Sequence, residues 1–472
     1  MRKLMGCLLL WSAAYPLAAQ TSLSTLRGRV ADISGAVIPD ATVTMTDKET
    51  RVTVRTVSTD DLGNFEMPDL KLGVYKVSVA HKGFATFVAE DVTLSSSQVR
   101  RIDVTLEVGD TATQITVTEG AAAIETEEGK LSSSVSAAQY KDLPMPGNAY
   151  GSPLPVLATL PNVQSDEGSY NVSFAGQTGA QLAMGMDGVK EETTNTQTVN
   201  MESVEEVRMV VVNNSAEYSR VGYYDVITKR GGNAFHGLGS YYNRNSALGA
   251  RGFFEPEKAH VIYNTINVAG SGPIIKNRTF FYGLWNGERV PGGAFHLANV
   301  PANAMRQGDF SGLLGLDPPT TITDPLSGTP FAGNVIPASR LNSAATTLQG
   351  KYMPAPNLGS PSALTNNYGF VWPYPDDQFN ADVYTARIDH KVSEANSLFG
   401  RFSAYLPKYI LAGSYPDLFW TRKRQSYSWA IVDTHLLSSS LVNTFTFGGN
   451  QDRVSDGESI SGHNPVQGNH VV

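Results

Sequence analysis

The amino-acid sequence predicts a mainly β protein. Its expected parts are an N-terminal β-sandwich, a mixed α+β segment and the first strands of a transmembrane antiparallel β-barrel. Three observations predict this class. The chain is rich in glycine (44) and tyrosine (20), short segments with period-2 alternation recur along it, and the connections between its C-terminal strand candidates alternate between short and long.

The first expected element is a small β-sandwich over residues 26–106. The segment GVYKVSVA, residues 73–80, places tyrosine and two valines on one face and lysine and serine on the other. DLGN, residues 61–64, supplies turn chemistry between two such strands. About 80 residues with strands and turns at this spacing are typical of a β-sandwich.

Three motifs in this segment carry a family resemblance. They are GRVAD at residues 28–32, DDLGNF at 60–65 and GVYKVSVAHKGF at 73–84. Together they resemble the carboxypeptidase regulatory-like domain, which belongs to the carbohydrate-binding-like folds, and we assign that domain to residues 22–108. The name does not imply a peptidase, because the eight histidines form no H-E-x-x-H motif.

The N-terminus indicates export. Residues 1–20, MRKLMGCLLLWSAAYPLAAQ, begin with basic residues, continue with an apolar stretch and end with small residues, which predicts a cleaved signal peptide. Cys7 is the only cysteine, so the exported chain has neither disulfides nor cysteine metal sites. The net charge of −8 argues against a nucleic-acid partner.

The segment after the sandwich has a mixed texture. Residues 131–231 contain short helical patterns that end at prolines, followed by strand-like pieces at residues 170–175, 182–189 and 203–212. This mixture predicts an α+β domain.

Seven candidate strands follow, at residues 235–244, 262–272, 279–290, 380–392, 398–405, 425–437 and 441–454. Short connections at residues 275–278, 393–397 and 438–440 alternate with long ones at 245–261, 291–379 and 406–424. Outer-membrane barrels have this asymmetry, with tight periplasmic turns and long outer loops. The longest connection contains 12 of the 25 prolines, which excludes it from a central sheet position.

The faces of these strands are also consistent with a barrel. Arg387 and Asp389 lie on one face of their strand, and Tyr384, Ala386 and Ile388 lie on the other. Charges confined to one face suit a wet lumen with lipid outside. A soluble β-sandwich would alternate in the same way, so the loop lengths are what favour the barrel.

A second set of motifs is similar to the plug-to-barrel junction of Oar-like TonB-dependent outer-membrane transporters. The motifs are AEYSRVGYYDVITKRGGNAFHG, NTINVAGSGPIIKNRTFFYG, RQGDFSGLL, ITDPLSGTPFAGNVIPASRLN and the DGV of Asp187, Gly188 and Val189. The resemblance implies a plug domain at residues 131–231 and a barrel from residue 232 to 472. It also implies energised uptake of a large or scarce solute, coupled to the periplasmic protein TonB.

The linker at residues 109–130 holds a short strand-forming run that resembles a TonB box. The proposed box consists of Ile115, Thr116, Val117, Thr118 and Glu119. An unpaired strand is what a partner needs when it binds by adding the strand to its own sheet edge. The alternative is that this run is the last strand of the β-sandwich.

The expected function is therefore that of an outer-membrane TonB-dependent receptor. Its partners would be TonB, outer-membrane lipid and an unidentified solute; we expect neither a cofactor nor enzymatic activity. Transporters of this class have about 22 strands, so seven predict that the chain is a fragment. The alternative is a secreted carbohydrate-binding protein or adhesin made of β-sandwiches. Asp309, Asp317 and Asp324 could in principle bind calcium, but their spacing fits no known loop.

Overall fold

The computed structural model has a mainly β architecture, as the sequence predicts. It describes residues 24–96, 98–109, 114–118, 131–137, 139, 157, 159–165, 172–174, 176, 182–191, 199–212, 222–251, 258, 262–290, 292–360, 362–374, 379–412, 418–438 and 441–460. The expected signal peptide (residues 1–20), Glu119 and the remainder of the linker as far as residue 130 lie outside these residues.

The predicted β-sandwich of residues 22–108 is present in the described residues from Ser24 onwards, and strand β9 from the predicted linker adds to the edge of one of its sheets. Its strands are β1 (Ser24–Asp32), β2 (Thr42–Asp47), β3 (Thr53–Ser58), β4 (Asn64–Leu70), β5 (Gly73–Ala80), β6 (Thr86–Leu94), β7 (Val99–Arg101), β8 (Val104–Leu106) and β9 (Gln114–Thr118). One sheet has the order β4-β1-β7 with β8 also on β1, and the other has the order β3-β2-β5-β6-β9. Apolar side chains from both sheets, among them Leu26, Met45, Met67 and Tyr75, are fully buried between them.

The turn from β3 to β4 shows how the sequence specifies this fold. The backbone amides of Leu62 and Asn64 donate to the Asp60 carboxylate, at 2.9 and 2.7 Å. Gly63 has a φ of 73°, and a Cβ there would lie 2.6 Å from the carbonyl oxygen of Val30. Only glycine fits this position, because it combines a positive φ with a close backbone approach.

The described part of residues 131–231 forms the central domain. Its strands are β10 (Leu131–Ser136), β11 (Val163–Ser165), β12 (Val172–Phe174), β13 (Leu182–Met186), β14 (Val189–Glu191), β15 (Val204–Val212) and β16 (Gly222–Thr228). The main sheet has the order β10-β15-β16-β13-β14, with β13 parallel to β16. The single strand expected at residues 182–189 is instead a hairpin, because Asp187 and Gly188 form a tight turn.

The remaining strands and one helix follow. They are β17 (His236–Asn245), β18 (Ile262–Ile275), β19 (Thr279–Arg289), β20 (Gly292–Ala298), α1 (Ser343–Tyr352), β21 (Tyr368–Tyr374), β22 (Phe379–Lys391), β23 (Asn396–Ala412), β24 (Leu418–Ser438) and β25 (Leu441–Ile460). Seven of these strands form one sheet, in the order β17-β18-β19-β22-β23-β24-β25. Each is antiparallel to the next. We call this unit the C-terminal sheet.

All seven predicted strands of this sheet are present, but β23 and β24 are longer than expected. The prediction ended the first at residue 405 and began the second at residue 425, whereas β23 continues to Ala412 and β24 begins at Leu418. The added parts pair with each other from Lys408 opposite Lys423 to Ala412 opposite Phe419. Alternation is lost around Pro407 and Lys408, so these segments are strands through pairing with each other and not through their own pattern.

The two faces of the C-terminal sheet differ as predicted. In β22 the side chains of Arg387 and Asp389 are buried, with 5% and 6% of their surface exposed, whereas Tyr384 and Ile388 expose 44% and 51%. We call the buried, polar side the inner face. Outward residues of β24 and β25 are also apolar, as in Ile431, Phe445 and Phe447.

The proline-rich connection between β19 and β22 has local structure of its own. Strands β20 and β21, near the two ends of the connection, pair in antiparallel fashion. Helix α1 begins after Asn342, whose side chain accepts from the amides of Ala344 and Ala345. The Asp324 carboxylate binds Arg340 at 2.8 and 3.0 Å. Among the described residues, no helix has the length and apolar character needed to cross a membrane.

Candidate functional site

The tip of the β13–β14 hairpin lies against the inner face of the C-terminal sheet. Asp187 and Gly188 both have positive φ, at 50° and 80°, which is the conformation of a two-residue type I′ hairpin turn. Aspartate and glycine are the residues that tolerate it. The predicted motif residues Asp187, Gly188 and Val189 are therefore close together, and the turn directs the Asp187 carboxylate towards the sheet.

This carboxylate is buried and fully paired. Its oxygens accept hydrogen bonds from the amide and hydroxyl of Thr228, at 3.0 and 2.7 Å. Arg387 donates to Oδ1 from Nη1 at 3.1 Å, and Nε of Arg401 lies 2.9 Å from Oδ2. Only 2% of the Asp187 side-chain surface is exposed. One carboxylate of the central domain thus bridges two cations of the C-terminal sheet.

The two arginines are themselves positioned by the sheet. Arg387 donates from Nε and Nη2 to both oxygens of Asp389, at 2.8 and 3.0 Å, and its guanidinium lies 4.2 Å from the Phe399 ring centre. Arg401 donates from Nη2 to the Ser428 hydroxyl at 3.1 Å. Bidentate pairing and ring stacking fix the guanidinium orientation.

We call Asp187, Arg387, Asp389 and Arg401 the Asp187 cluster. It contains two carboxylates and two guanidinium groups, so its formal charges balance. Removing water from such ions is costly and is offset only when the geometry satisfies every partner. Loss of one member leaves a buried charge without its partner, which makes the cluster sensitive to the position of the hairpin.

Strand β14 of the hairpin also contacts the C-terminal sheet closely. A Cβ built on Gly448 of β25 would lie 2.5 Å from a Val189 methyl carbon. The side-chain amide of Asn450 donates to the carbonyl of Lys190 at 3.3 Å. Position 448 therefore accommodates Val189 because it has no side chain.

The β-sandwich also reaches this site. Lys71, in the connection from β4 to β5, places its ammonium 3.0 Å from an oxygen of Asp389. Arg230, which follows β16, donates to Asp47 of the sandwich at 2.7 Å. Burial lowers the pKa of Lys71, and the attraction of Asp389 offsets this only in part. Three parts of the chain therefore meet at one charged cluster.

The proposed TonB-box residues lie elsewhere. Strand β9, which includes Ile115 to Thr118, pairs in parallel with β6 at the edge of the five-stranded sandwich sheet. Its partners run from Thr86 opposite Gln114 to Glu90 opposite Thr118. Ile115 to Thr118 therefore lie at the edge of a sandwich sheet, which agrees with the alternative interpretation of this segment. Among the described residues, no strand pairs with the other edge of β9.

Sequence reasoning missed the cluster as a unit. It placed Arg387 and Asp389 on one face of a strand and singled out Asp187 separately, but did not connect them. Arg401, Thr228 and Lys71 were not identified as site residues. Charges on the inner face of β22 and β23 were the available signal, although nothing in the sequence says which charges meet.

The site is suited to holding two domains together. Its polar groups are occupied by one another, as the hydrogen bonds above show. In the described part of the chain, no group of three or more histidine, cysteine, aspartate and glutamate side chains is arranged to hold a metal ion.

Comparison with known proteins places the fold in a family. The family described as "Outer membrane beta barrel domain" matches residues 227–470, a little more than half of the chain. This chain belongs to that family, and it is an outer-membrane protein of the β-barrel class. The family described as "Carboxypeptidase regulatory-like domain" matches residues 25–107, in agreement with the resemblance found in the sequence.

Several solved structures are similar to the chain. The siderophore receptor PirA from Pseudomonas aeruginosa shares 12% identity, with 69% of this chain and 42% of that chain covered and a TM-score of 0.40. The outer membrane transporter YddB from Escherichia coli shares 12% identity, with 70% and 40% covered and a TM-score of 0.40. PirA from Acinetobacter baumannii shares 11%, with 71% and 46% covered and a TM-score of 0.37.

The chain thus spans less than half the length of these three proteins. No curated protein sequence matches it.

Proposed function

We propose that the protein is a TonB-dependent outer-membrane receptor that takes up a large or scarce solute with energy from the inner membrane. The observation that carries this proposal is the Asp187 cluster. It fastens a separate domain to the polar, inner face of an outer-membrane sheet, which is the position of a plug that closes a lumen.

The proposed organisation follows from this role. A cleaved signal peptide at residues 1–20 directs export, and the β-sandwich at residues 22–108 lies in the periplasm. The linker at 109–130 carries the TonB box, residues 131–231 form the plug, and residues 232–472 form the barrel region. The apolar outer face of the sheet, with Phe445 and Phe447 exposed, contacts lipid.

The short turns of the sheet support this orientation. The sandwich lies at the turn end of β18–β19 and β22–β23, where the Asn233 amide, itself bound to Asn277, donates to the carbonyl of Thr50 and Lys391 donates to the carbonyl of Thr53. Short turns are periplasmic in outer-membrane barrels. The sandwich is then on the side where TonB acts.

We propose that TonB binds strand β9. Its second edge carries no described strand, and a partner strand can add there through main-chain hydrogen bonds. The alternative, a secreted adhesin of β-sandwiches, would have no need of a docking strand or of a domain on the polar face of a sheet. Binding of a TonB periplasmic fragment by the purified chain separates these two proposals.

The decisive variant is Val117→Pro. Proline removes the backbone donor that a ladder requires, so TonB-fragment affinity should fall below detection. Val117→Thr keeps the amide and the β-branched shape and should change the dissociation constant by less than about threefold. Hydrogen exchange of β6 measured on both variants shows whether the sandwich itself was damaged. Unchanged TonB binding by Val117→Pro would place the docking strand elsewhere.

A further inference from the structure

The contact between the β-sandwich and the rest of the protein is unusual in its chemistry. Among the described residues, its polar contacts include an ion pair between Lys71 and Asp389, a second between Arg230 and Asp47, and several hydrogen bonds. One of these joins the amide of Ser96 to the Glu206 carboxylate at 3.0 Å. Contacts of this polar kind are typical of interfaces that open, whereas permanent interfaces are more apolar.

The interface is also incompletely filled. A cleft of about 140 Å³, open to solvent, lies between the two sides. Its lining includes Thr53, Arg55 and Asp69 from the sandwich, and His390 and Asn396 from the short-turn end of the C-terminal sheet. A fused core would be packed at the density of the protein interior, with few voids larger than a water molecule.

The charges indicate which side can leave. Asp187, Asp389, Arg387 and Arg401 balance one another without any contribution from the sandwich. Lys71 adds a fifth charge to a carboxylate that already has a bidentate partner in Arg387. Withdrawal of Lys71 therefore leaves no unpaired ion among the four, whereas withdrawal of Asp187 does. Withdrawal of the sandwich also separates Arg230 from Asp47, but these two ions lie at the surface that opens and can then be solvated. The sandwich can therefore separate while the four charges of the Asp187 cluster stay paired.

We propose that the β-sandwich is a detachable cover of the short-turn end of the sheet, held in its docked position by Lys71 on Asp389. Because the docked sandwich lies across the periplasmic side of the plug, release of the cover precedes passage of solute. This role in transport rests on the proposed function. The docking itself can be measured without any solute.

A disulfide provides the measurement. A Cβ built on Gly232 lies 2.8 Å from Cγ of Glu49, so cysteines at both positions would bring two sulfurs within bonding reach in the docked state. Cys7 is the only cysteine of the chain and lies in the expected signal peptide. In the exported chain, Glu49→Cys with Gly232→Cys thus has no competing thiol.

The experiment follows disulfide formation in the full chain in detergent, by alkylating the remaining free thiols at successive times. With Lys71 intact, the disulfide should form rapidly and nearly completely. Adding Lys71→Met should lower its rate about tenfold, as expected for loss of a hydrogen bond between charged groups. Lys48→Met is the matched control, because Lys48 pairs with Glu90 and Asp91 within the sandwich, and it should leave the rate unchanged.

A second variant tests the same ion pair without a substitution in the sandwich. Asp389→Asn removes the same ion pair from the sheet side and should slow the disulfide as well, without altering any sandwich residue. Because Asp389 also pairs with Arg387, hydrogen exchange of the β13 and β14 amides measures any loosening of the Asp187 cluster in this variant. Rates equal to the parent in both Lys71→Met and Asp389→Asn would overturn the proposal. If the chain does not bind TonB but both variants slow the disulfide, the docking of the sandwich is supported and its role in transport is not.

Discussion

The interior of the β-sandwich contains leucine, valine, methionine and one tyrosine, whereas the contact between the central domain and the C-terminal sheet contains two carboxylates and two guanidinium groups. Both regions are buried to a similar degree. Apolar burial is not directional and tolerates small shifts. A buried charged contact is stable only at one relative position.

This difference matches the roles proposed for the two regions. A sandwich must remain folded, whatever its neighbours do, and an apolar core provides that. A domain with the proposed role of a plug must sit at one defined position, and it must expose no apolar surface to water if it separates from the wall. Paired charges meet both requirements, because each ion is well solvated once it is released.

The largest expected effect comes from breaking the charged contact on one side. Asp187→Ala leaves Arg387 and Arg401 buried without their shared carboxylate. Removing one partner of a buried ion pair costs about 3–5 kcal/mol. Hydrogen exchange of the β13 and β14 amides should accelerate accordingly. Asp324→Ala, in the exposed pair with Arg340, is the control and should leave those amides unchanged.

A comparable truncation in the sandwich should act only locally. Met45 is fully buried, and Met45→Ala should destabilise the sandwich by about 2–5 kcal/mol through lost burial and a residual cavity. Hydrogen exchange should then accelerate in β2 and β5 but not in β13. Equal acceleration in both domains would show that the two regions unfold together, against the comparison drawn here.

The sequence was sufficient for the first of these regions and insufficient for the second. Period-2 alternation in residues 73–80 and the turn at 61–64 specify the sandwich through local contacts. All seven strands of the C-terminal sheet were also found by pattern. The pairing of Asp187 with Arg387 joins residues 200 positions apart, and no local periodicity encodes which inward charges face each other.

A similar limit applies to the ends of strands and to the hairpin. Strands β23 and β24 continue beyond their alternating segments because each provides the hydrogen bonds of the other. The turn at Asp187 and Gly188 could have been recognised, since Asp-Gly between strand residues is a strong hairpin signal. The same residues, with Val189, also form the family motif, and the motif by itself does not specify a turn.

A smaller, pH-dependent effect is expected where the sandwich contacts the central domain. Burial raises the pKa of Glu206 to about 7 from 4.5, while the amide of Ser96 and the charge of Arg208 act in the opposite direction and Glu205 and Asp225 reinforce it. A carboxyl group with a raised pKa stabilises the fold at low pH. This contribution is lost as pH rises from about 4.5 through 7, and amounts to roughly 3 kcal/mol at most.

Glu206→Gln should remove this dependence, because glutamine keeps the shape and does not ionise. The stability of the central domain should then be flat between pH 5 and 8, within about 0.5 kcal/mol, whereas the parent declines. Denaturant unfolding monitored at several pH values gives both curves. A parent curve without a decline would mean that Glu206 does not titrate in this range.

The smallest expected effect is steric. In Gly448→Val, the new side chain meets Val189 and the carbonyl oxygen of Trp429, which would lie 2.5 and 2.7 Å from its Cβ. Overpacking of this kind costs about 1–3 kcal/mol. Gly239→Val, where a Cβ has nothing within 4 Å, is the matched control in the same sheet. Hydrogen exchange of the β14 amides should accelerate in Gly448→Val and stay unchanged in Gly239→Val.

The central claim is that Asp187 and Arg387 hold the central domain to the sheet by acting on each other. A double-mutant cycle of Asp187→Asn and Arg387→Gln tests it most directly, with hydrogen exchange of the β13–β14 hairpin as the readout. We predict a coupling energy of about 1–3 kcal/mol. The control cycle of Asp187→Asn with Arg340→Gln should be additive. Additivity in the first cycle, within about 0.5 kcal/mol, would contradict the account.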